Sequence, residues 1–246
     1  MTELDIVIPV FNEGSNILKT LAALRDHVRT PFRVLVCYDF DGDDTLPALA
    51  GCSPDSVDVV LVKNAGRGPH AAVRTGLAAT RAPFVLVYMA DDDYNTPLID
   101  RMVARARAGA DVVAASRFVP GGTMANCDSK AKEAVTHLGA FLLTRVASLP
   151  VHDGTNAFKL FSRRLLDAVE IESRVGFTFA LELTVKAVRL GWSLAELPAQ
   201  WIERSDKPSR FRVLKWLPAY VEWLLYAMAT RWLGRGPETV RRRDRL

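Results

Sequence analysis

The sequence is short of cysteine and lacks any apolar run long enough to cross a bilayer. Its three cysteines are Cys37, Cys52 and Cys127. Their number is odd and no C-x-x-C occurs, which excludes a disulfide framework and a thiolate zinc site and fits a reducing compartment. The N-terminus, M-T-E-L-D-I-V-I-P-V, has no basic segment ahead of a long apolar stretch, so it reads as a first strand, not a signal peptide. The most membrane-like segment is W-L-P-A-Y-V-E-W-L-L-Y-A-M-A-T, residues 216–230. It falls short of the ~20 residues a helical span needs and carries Pro218 and Glu222. No internal repeat and no low-complexity linker is visible. A formal net charge of +4 excludes a strongly one-signed protein, but the charge is uneven. From Arg204 onward basic residues outnumber acids roughly three to one, and the chain closes on R-R-R-D-R-L. Such an end suits an anionic membrane surface, or is simply a solvated terminus. It carries no nucleic-acid recognition motif, so no nucleic-acid partner is expected.

What is present is a core-building pattern. Of 246 residues, 49% are hydrophobic, enough for one sizeable domain with an appendage. Short β-branched runs predict strands over 5–10, 33–38, 57–62, 83–89 and 111–118, with helical patterns between them. Strands alternating with helices imply an α/β protein with a mostly parallel sheet covered on both faces. In such sheets ligands bind beyond the carboxyl ends of the strands. That rule places F-N-E-G, D-F-D-G-D-D, N-A-G-R-G and D-D-D-Y-N along one rim.

The last of these, Asp91-Asp92-Asp93 after V-L-V-Y-M-A, sets like charges side by side at the edge of the core. Alternate side chains in an extended or turn segment can share a face. Asp91 and Asp93 can therefore hold one hard divalent cation, Mg²⁺ or Mn²⁺, with Asn95 adding an amide oxygen. A plain acidic turn is the competing reading, and position on the rim favours the metal. Asp39 can accept hydrogen bonds from a base or ribose, while Asp41, Asp43 and Asp44 read as turn formers and caps. N-A-G-R-G-P-H, with Arg67, is either a phosphate cradle ahead of a helix or a plain glycine turn. His70 has no metal-ligand companion at useful spacing and reads as structural.

Taken in order, I-V-I-P-V-F-N-E-G-S-N-I, Y-D-F-D-G-D-D-T, G-R-G-P-H-A-A-V-R-T-G-L, D-D-D-Y-N-T-P and S-R-F-V-P-G-G resemble glycosyltransferase family 2. The second half agrees through D-G-T-N-A-F-K-L-F-S-R, F-T-F-A-L-E-L through E-L-P, and W-I-E-R-S-D-K-P-S-R-F. The set spans about residues 5–212 and is most similar to the dolichol-phosphate mannose synthase branch. The resemblance implies a GT-A fold, a Rossmann-like three-layer sandwich over 1–211. A C-terminal amphipathic helix and basic tail would follow over 212–246. It implies that Pro9, Phe11 and Glu13 contact the nucleotide, that Asp39 reads the base, and that Asp92 lies near the ribose. It implies Asp91, Asp93 and Asn95 as metal ligands. Arg117, Ser209 and Arg210 would lie near the donor diphosphate and acceptor phosphate, with Lys207 beside them, and Asp93, Arg117 and Arg210 would be catalytic.

The implied reaction is inverting transfer of a mannose- or glucose-class sugar from GDP-mannose or a UDP-sugar to a polyprenyl phosphate. A hydroxyl acceptor is the alternative. It normally needs a general base, and the E-D pair and Q-x-x-R-W common in such members are absent, which favours the phosphate. Asp153 is either a base or a turn former, and Glu182 either a base or a partner for a cation. A nucleotidyltransferase would need a glycine-rich N-terminal loop that is absent, and a silent binding module would not need the acids. Departures from the family pattern are Tyr38 for aspartate, Phe40 for glycine, Asn156-Ala157 for Ser-Gly, and Lys207-Pro208 for Gly-x. The aromatic, leucine-rich segment near the end would lie in a membrane interface or pack on the domain or a partner subunit. The expected location is cytoplasmic, peripheral to the membrane, with a homo-oligomer compatible with the sequence.

Overall fold

A computed structural model describes residues 2–51, 57–125, 130–202 and 213–243. The chain opens with β1 (Leu4–Pro9), α1 (Asn16–His27), β2 (Phe32–Tyr38), α2 (Thr45–Ala50), β3 (Val59–Lys63), α3 (Pro69–Ala79) and β4 (Phe84–Val87). A 3₁₀ turn at Thr96–Leu98 leads into α4 (Ile99–Arg107) and then β5 (Val112–Ser116). The second half contains β6 (Thr123–Ala125), α5 (Lys130–Phe141) with a π turn at Leu142–Val146, β7 (Lys159–Ser162) and α6 (Arg163–Ala168). It continues with α7 (Thr178–Arg189), β8 (Leu194–Pro198), β9 (Gln200–Ile202) and α8 (Val213–Trp232). The five strands expected from the first half are present, each within a few residues of its predicted bounds.

Seven strands form one sheet in the order β3-β2-β1-β4-β7-β5-β8. β3, β2, β1 and β4 pair in parallel with one another, β7 is antiparallel to both β4 and β5, and β5 pairs in parallel with β8. Because the two antiparallel pairings cancel, β5 points the same way as β4. A separate parallel pair joins β6 to β9. Both faces of the sheet are covered, so its strands read as nearly continuous apolar runs. Ile6, Ile8, Val34, Val36, Leu86 and Val113 pack beneath α1 and α4, while Val7, Leu35, Val85, Val87 and Phe161 pack against α3, α6 and α7. In α4 the buried positions are Ile99, Met102, Val103 and Ala106, the spacing of one helical stripe. α3 comes so close to the sheet that a Cβ on Gly76 would meet Val7 Cγ1 at 2.5 Å and Cys37 Sγ at 2.6 Å.

The parallel pairing sends chain 1→2→3 outward and returns it at β4, so the sheet's topological switch lies between β1 and β4. That crevice is where the four loops named above meet. β7 matters for a different reason. It runs against its neighbours, so the segment entering it, residues 153–158, reaches the same rim as the ends of β4 and β5.

α8 packs one side against α7 and the π turn, burying Trp223 and Ala227 with Leu143, Leu149, Leu181 and Val185. Its other side leaves Leu217, Val221 and Leu225 exposed, and α5 likewise exposes Val135, Leu138 and Phe141. Among the described residues no helix is long and apolar enough to cross a membrane. The reading of the last residues as a solvated end does not hold for 237–243. Val240 is buried, Glu170 N and Arg243 N hydrogen-bond to Arg241 O and Ala168 O at 3.1 and 3.2 Å, and Arg241 pairs with Glu170 at 2.9 Å. The tail gains backbone partners beside α6, which outweigh the pull of its charges toward water. The boundary expected at residue 211 falls outside the described residues.

Candidate active site

The rim is assembled by backbone-to-carboxylate hydrogen bonds between loops far apart in sequence. After β1, Asn12 and Gly14 both adopt positive φ. Asn12 N donates to buried Asp43 at 3.0 Å, Glu13 N to Thr45 Oγ1 at 3.1 Å, and Gly14 N to Asp44 at 2.7 Å. Asp43 also accepts from Thr45 N at 2.9 Å. So Asp43 and Asp44 are turn-formers that fix the loop bearing Phe11 and Glu13. Asp41 forms an exposed pair with Lys63 at 2.6 Å.

Asp39, at the end of β2, does two things at once. Its Oδ1 accepts from Asn64 Nδ2 at 2.6 Å and its Oδ2 from Gly68 N at 2.7 Å. Asn64 in turn accepts from Gly66 N at 2.9 Å and Thr75 Oγ1 at 3.1 Å. Gly68, at φ +83°, takes a left-handed turn that L side chains rarely adopt. The N-A-G-R-G segment is therefore a braced loop opening α3, and it presents Arg67 to solvent with no ion-pair partner among the described residues. Buried Asn64 organises all of this and was not singled out from the sequence; a lone asparagine in a turn carries no distinguishing signal. His70 is buried, with Nε2 2.9 Å from Ser173 Oγ. Burial, with the Arg74 charge, lowers its pKa to about 4, so it is neutral and structural, as expected.

In the acidic triplet the three carboxylates have different surroundings. Asp91 is exposed, Asp93 half-buried and Asp92 buried. Asp92 accepts from Asn95 N at 2.9 Å and Asn95 Nδ2 at 2.8 Å. Burial raises its pKa above the ordinary carboxylate value, against the pull of those hydrogen bonds. Burial also pushes the Tyr94 phenol up to about 12, with the Asp92 charge adding to the effect. Asn95 donates as well to Gln200 O at 2.8 Å and accepts from Gln200 N at 3.0 Å, tying the triplet to β9. Its amide oxygen thus retains one lone pair direction for a further ligand. Asp93 has no hydrogen bond or ion pair with another described residue.

Among the described residues no three His, Cys, Asp or Glu side chains cluster into a metal cage. An oxygen donor set of two neighbouring carboxylates on an open rim fits a hard cation that keeps waters and takes further ligands from a phosphate-bearing substrate. It does not fit a closed structural site.

Arg117 leaves the end of β5 on the same rim, where Asp153 holds it. Its Nε and Nη2 donate to the two Asp153 oxygens at 2.7 and 2.8 Å, and Arg117 N donates at 3.0 Å. Burial alone would raise the Asp153 pKa. The Arg117 charge and hydrogen bonds, with Lys159, more than offset this and hold it below the ordinary value. Fully buried Lys159 points its ammonium at three carbonyls, Asp153 O at 2.9 Å, Gly154 O at 3.2 Å and Asn156 O. Burial lowers its pKa to about 8. Glu196 on β8 completes the group by accepting from His152 N and Asp153 N at 2.8 Å each. Glu182 is also buried and paired. It accepts from Glu172 N at 2.6 Å, Ser173 N at 2.9 Å and Lys186 Nζ at 2.7 Å. Of the two readings held open for each, Asp153 is a turn-former ion-paired to Arg117, and Glu182 is a cation's partner. Asp153, held below the ordinary carboxylate range by Arg117, is a weak proton acceptor, and the Glu182 oxygens are taken up by Glu172 N, Ser173 N and Lys186, so neither is arranged as a general base. Nothing local in the sequence marks Lys159 or Lys186, since a lysine in sequence looks like a solvated residue.

The structure therefore brings Pro9, Phe11, Glu13, Asp39, Arg67, Asp91, Asp92, Asp93, Asn95 and Arg117 to one edge of the sheet. Lys207, Ser209 and Arg210 lie outside the described residues.

Residues 5–169 match the model of the glycosyl transferase family 2. The chain belongs to this family, and it is a glycosyltransferase of GT-A fold. It is 28% identical over 232 residues to a polyprenol monophosphomannose synthase of Mycolicibacterium smegmatis, covering 86% of this chain and 85% of that protein. It is 31% identical over 237 residues to an undecaprenyl-phosphate mannosyltransferase of Micrococcus luteus, covering 93% and 95%. Among solved structures it resembles glucosyl-3-phosphoglycerate synthase from Mycobacterium tuberculosis in complex with Mn²⁺, UDP and glucosyl-3-phosphoglycerate. There the TM-score is 0.66 at 19% identity, covering 94% of this chain and 80% of the other. At that identity the likeness concerns the fold alone.

Proposed function

We propose that this glycosyltransferase moves a sugar of the mannose or glucose class from a nucleotide diphosphate sugar to a polyprenyl phosphate, with inversion at C1. The observation that carries the reading is the make-up of the rim: Asp91 and Asp93 stand beyond β4 and exposed Arg67 ahead of α3, while Arg117 beyond β5 is held by Asp153. An acidic turn and an exposed arginine on one edge suit a metal-bound diphosphate. The names of the two mannosyltransferase relatives point to the same substrates.

Asp91 and Asp93 would hold Mg²⁺ or Mn²⁺, with the Asn95 amide oxygen as a further ligand. When bound, such an ion neutralises charge on the leaving diphosphate. The chain's own residues do the rest. Pro9, Phe11, Glu13, Asp39 and Asp92 line the nucleotide, and Arg67 offers a cation to a phosphate beside the start of α3. Arg117, with Ser209, Arg210 and Lys207, positions phosphate oxygens and stabilises charge that develops on them. An acceptor phosphate oxygen forms the new bond to C1 while the bond from C1 to the diphosphate breaks, and the nucleoside diphosphate leaves with the electron pair. A phosphate acceptor is already ionised, which agrees with a site whose nearby buried acids are committed to cations.

A polyprenyl chain must be met at a membrane. The exposed apolar residues of α5 and α8 flank the Arg117 end, where Phe118 packs against His137 of α5 at 5.0 Å between ring centroids. This supports peripheral attachment of the segment after residue 211 on the cytoplasmic face. The test is a transfer assay. Purified protein with Mg²⁺ or Mn²⁺ meets GDP-mannose, UDP-glucose and UDP-N-acetylglucosamine, each with and without a short polyprenyl phosphate. Metal-dependent transfer to the lipid phosphate is the expected result. Donor hydrolysis with no lipid product would move the acceptor to a hydroxyl, and no donor turnover or binding at all would overturn the reading.

A further inference from the structure

We infer that Phe40 grips the donor's nucleobase by its flat face, so that donor affinity depends on stacking more than on reading the base edge. The inference rests on the donor reading above and adds a residue to it. Phe40 directly follows Asp39 at the carboxyl end of β2, and 38% of it is exposed. Phe11, 45% exposed, approaches from the loop after β1 with ring centroids 5.7 Å apart and planes tilted by 57°. Rings at that tilt do not stack on one another, so Phe11 does not cover the flat face of Phe40.

Two phenyl rings left in water need a reason in a protein that buries Phe158, Phe161 and Phe179 almost completely. The backbone beneath them is fixed. Phe40 O accepts from Asp43 N at 3.1 Å, and Asp43 also holds Asn12 N, so the two loops that carry the rings are tied through one carboxylate. The Phe40 ring also sits over Gly42, where an added Cβ would meet Phe40 Cε2 at 3.4 Å. Asp39 meanwhile spends a lone pair of each oxygen on Asn64 and Gly68, so its hold on a base edge is shared with the loop it braces. Every nucleobase has a π-face, and stacking on an aromatic side chain adds affinity with little regard to which base is present.

The test is calorimetric binding of UDP, GDP and ADP to the full chain with Mn²⁺, with inorganic pyrophosphate as the ligand that lacks a base. Wild type should bind the three nucleotides within about tenfold of one another. Phe40→Ala should weaken all three by about tenfold, the scale of losing one base–aromatic stack, and leave pyrophosphate unchanged. Phe40→Trp should retain nucleotide affinity, and thermal melts of both variants should match wild type. Unchanged nucleotide affinity in Phe40→Ala overturns the inference. So does an equal loss of pyrophosphate affinity, which would mean a collapsed loop, or a wild-type preference of more than about a hundredfold for one base, which edge reading would require. If wild type binds pyrophosphate and none of the nucleotides, the donor reading itself falls. If it binds nucleotides and only the Phe40 variants behave otherwise than expected, the donor reading stands and this inference alone fails.

Discussion

Two groups of acidic residues in this chain have opposite surroundings. On the donor rim, Asp91 is exposed and Asp93 half-buried, with Asp93 bonded to no described residue. In the second half, Asp153 and Glu182 are fully buried, and each is bound to a cation and to backbone N–H groups. The same side-chain chemistry serves two ends. A buried carboxylate must be neutralised and hydrogen-bonded, and it then orders the loop that supplies its partners. Asp93, at the solvated edge, has carboxylate oxygens that no described residue engages. Asp92 lies between the two cases, buried but still beside the rim, with Asn95 as its main partner.

That contrast yields a graded set of outcomes. The largest should come from Asp93→Ala. Sugar transfer should fall by about a hundredfold or more, the scale seen when charge stabilisation at a leaving group is removed, with no shift in the unfolding midpoint. A matching loss of stability would show that Asp93 belongs with the structural acids. Next are the buried pairs. Lys186→Met leaves Glu182 unpaired at a fully buried position and should destabilise the fold by about 3–5 kcal/mol in urea unfolding. Asp153→Ala, which strands Arg117 and removes an anion beside Lys159, should fall in the same range. A change near zero in either would mean that these ions are solvated in solution.

A smaller effect should appear with pH at His70. Its folded pKa, about 4, is lower than the ordinary value of 6.5. As pH falls from 6.5 toward 4 the unfolded chain takes up a proton that the folded chain refuses, so stability decreases through that window. This site should remove about 2 kcal/mol between pH 7 and pH 5, and His70→Gln should lose that slope in urea titrations at the two pH values. An equal slope in the variant would assign the pH dependence elsewhere. Smallest of all is the exposed pair of Lys63 and Asp41. Lys63→Ala should leave the unfolding midpoint where it was, because water and salt already screen such a pair. A clear drop would mean that the rim loops depend on surface charge as well as on the buried Asp43.

The first half of the fold was legible in the sequence because each β-branched run ended in a turn that obeyed simple chemistry. Ile6, Val34 and Val85 mark parallel strands, and the motif loops then fall on one edge by topology alone. The second half was not legible in the same way. β7 is only Lys159–Ser162, and nothing in K-L-F-S says that it inserts antiparallel between β4 and β5. Its first residue is a lysine, which local patterning assigns to the surface. What puts Lys159 inside is a cage of carbonyls from its own preceding turn, and that cage exists only once β7 has its neighbours.

By itself the sequence determined the α/β class, the rim and the chemical types gathered there, since these follow from periodicity and from which residue types end each strand. It could also suggest Asp91 and Asp93 as a pair, because spacing of two is a local property. Only the tertiary structure decided which acids are committed. Asp43 to Asn12, Asp39 to Asn64, Asn95 to Gln200 and Asp153 to Arg117 are contacts across 25 to 105 residues. Whether a carboxylate is spent on holding a loop or left for a ligand depends on how deeply it is buried and on which cation or N–H group the folded chain brings to it, and neither quantity is carried by the residues next to it.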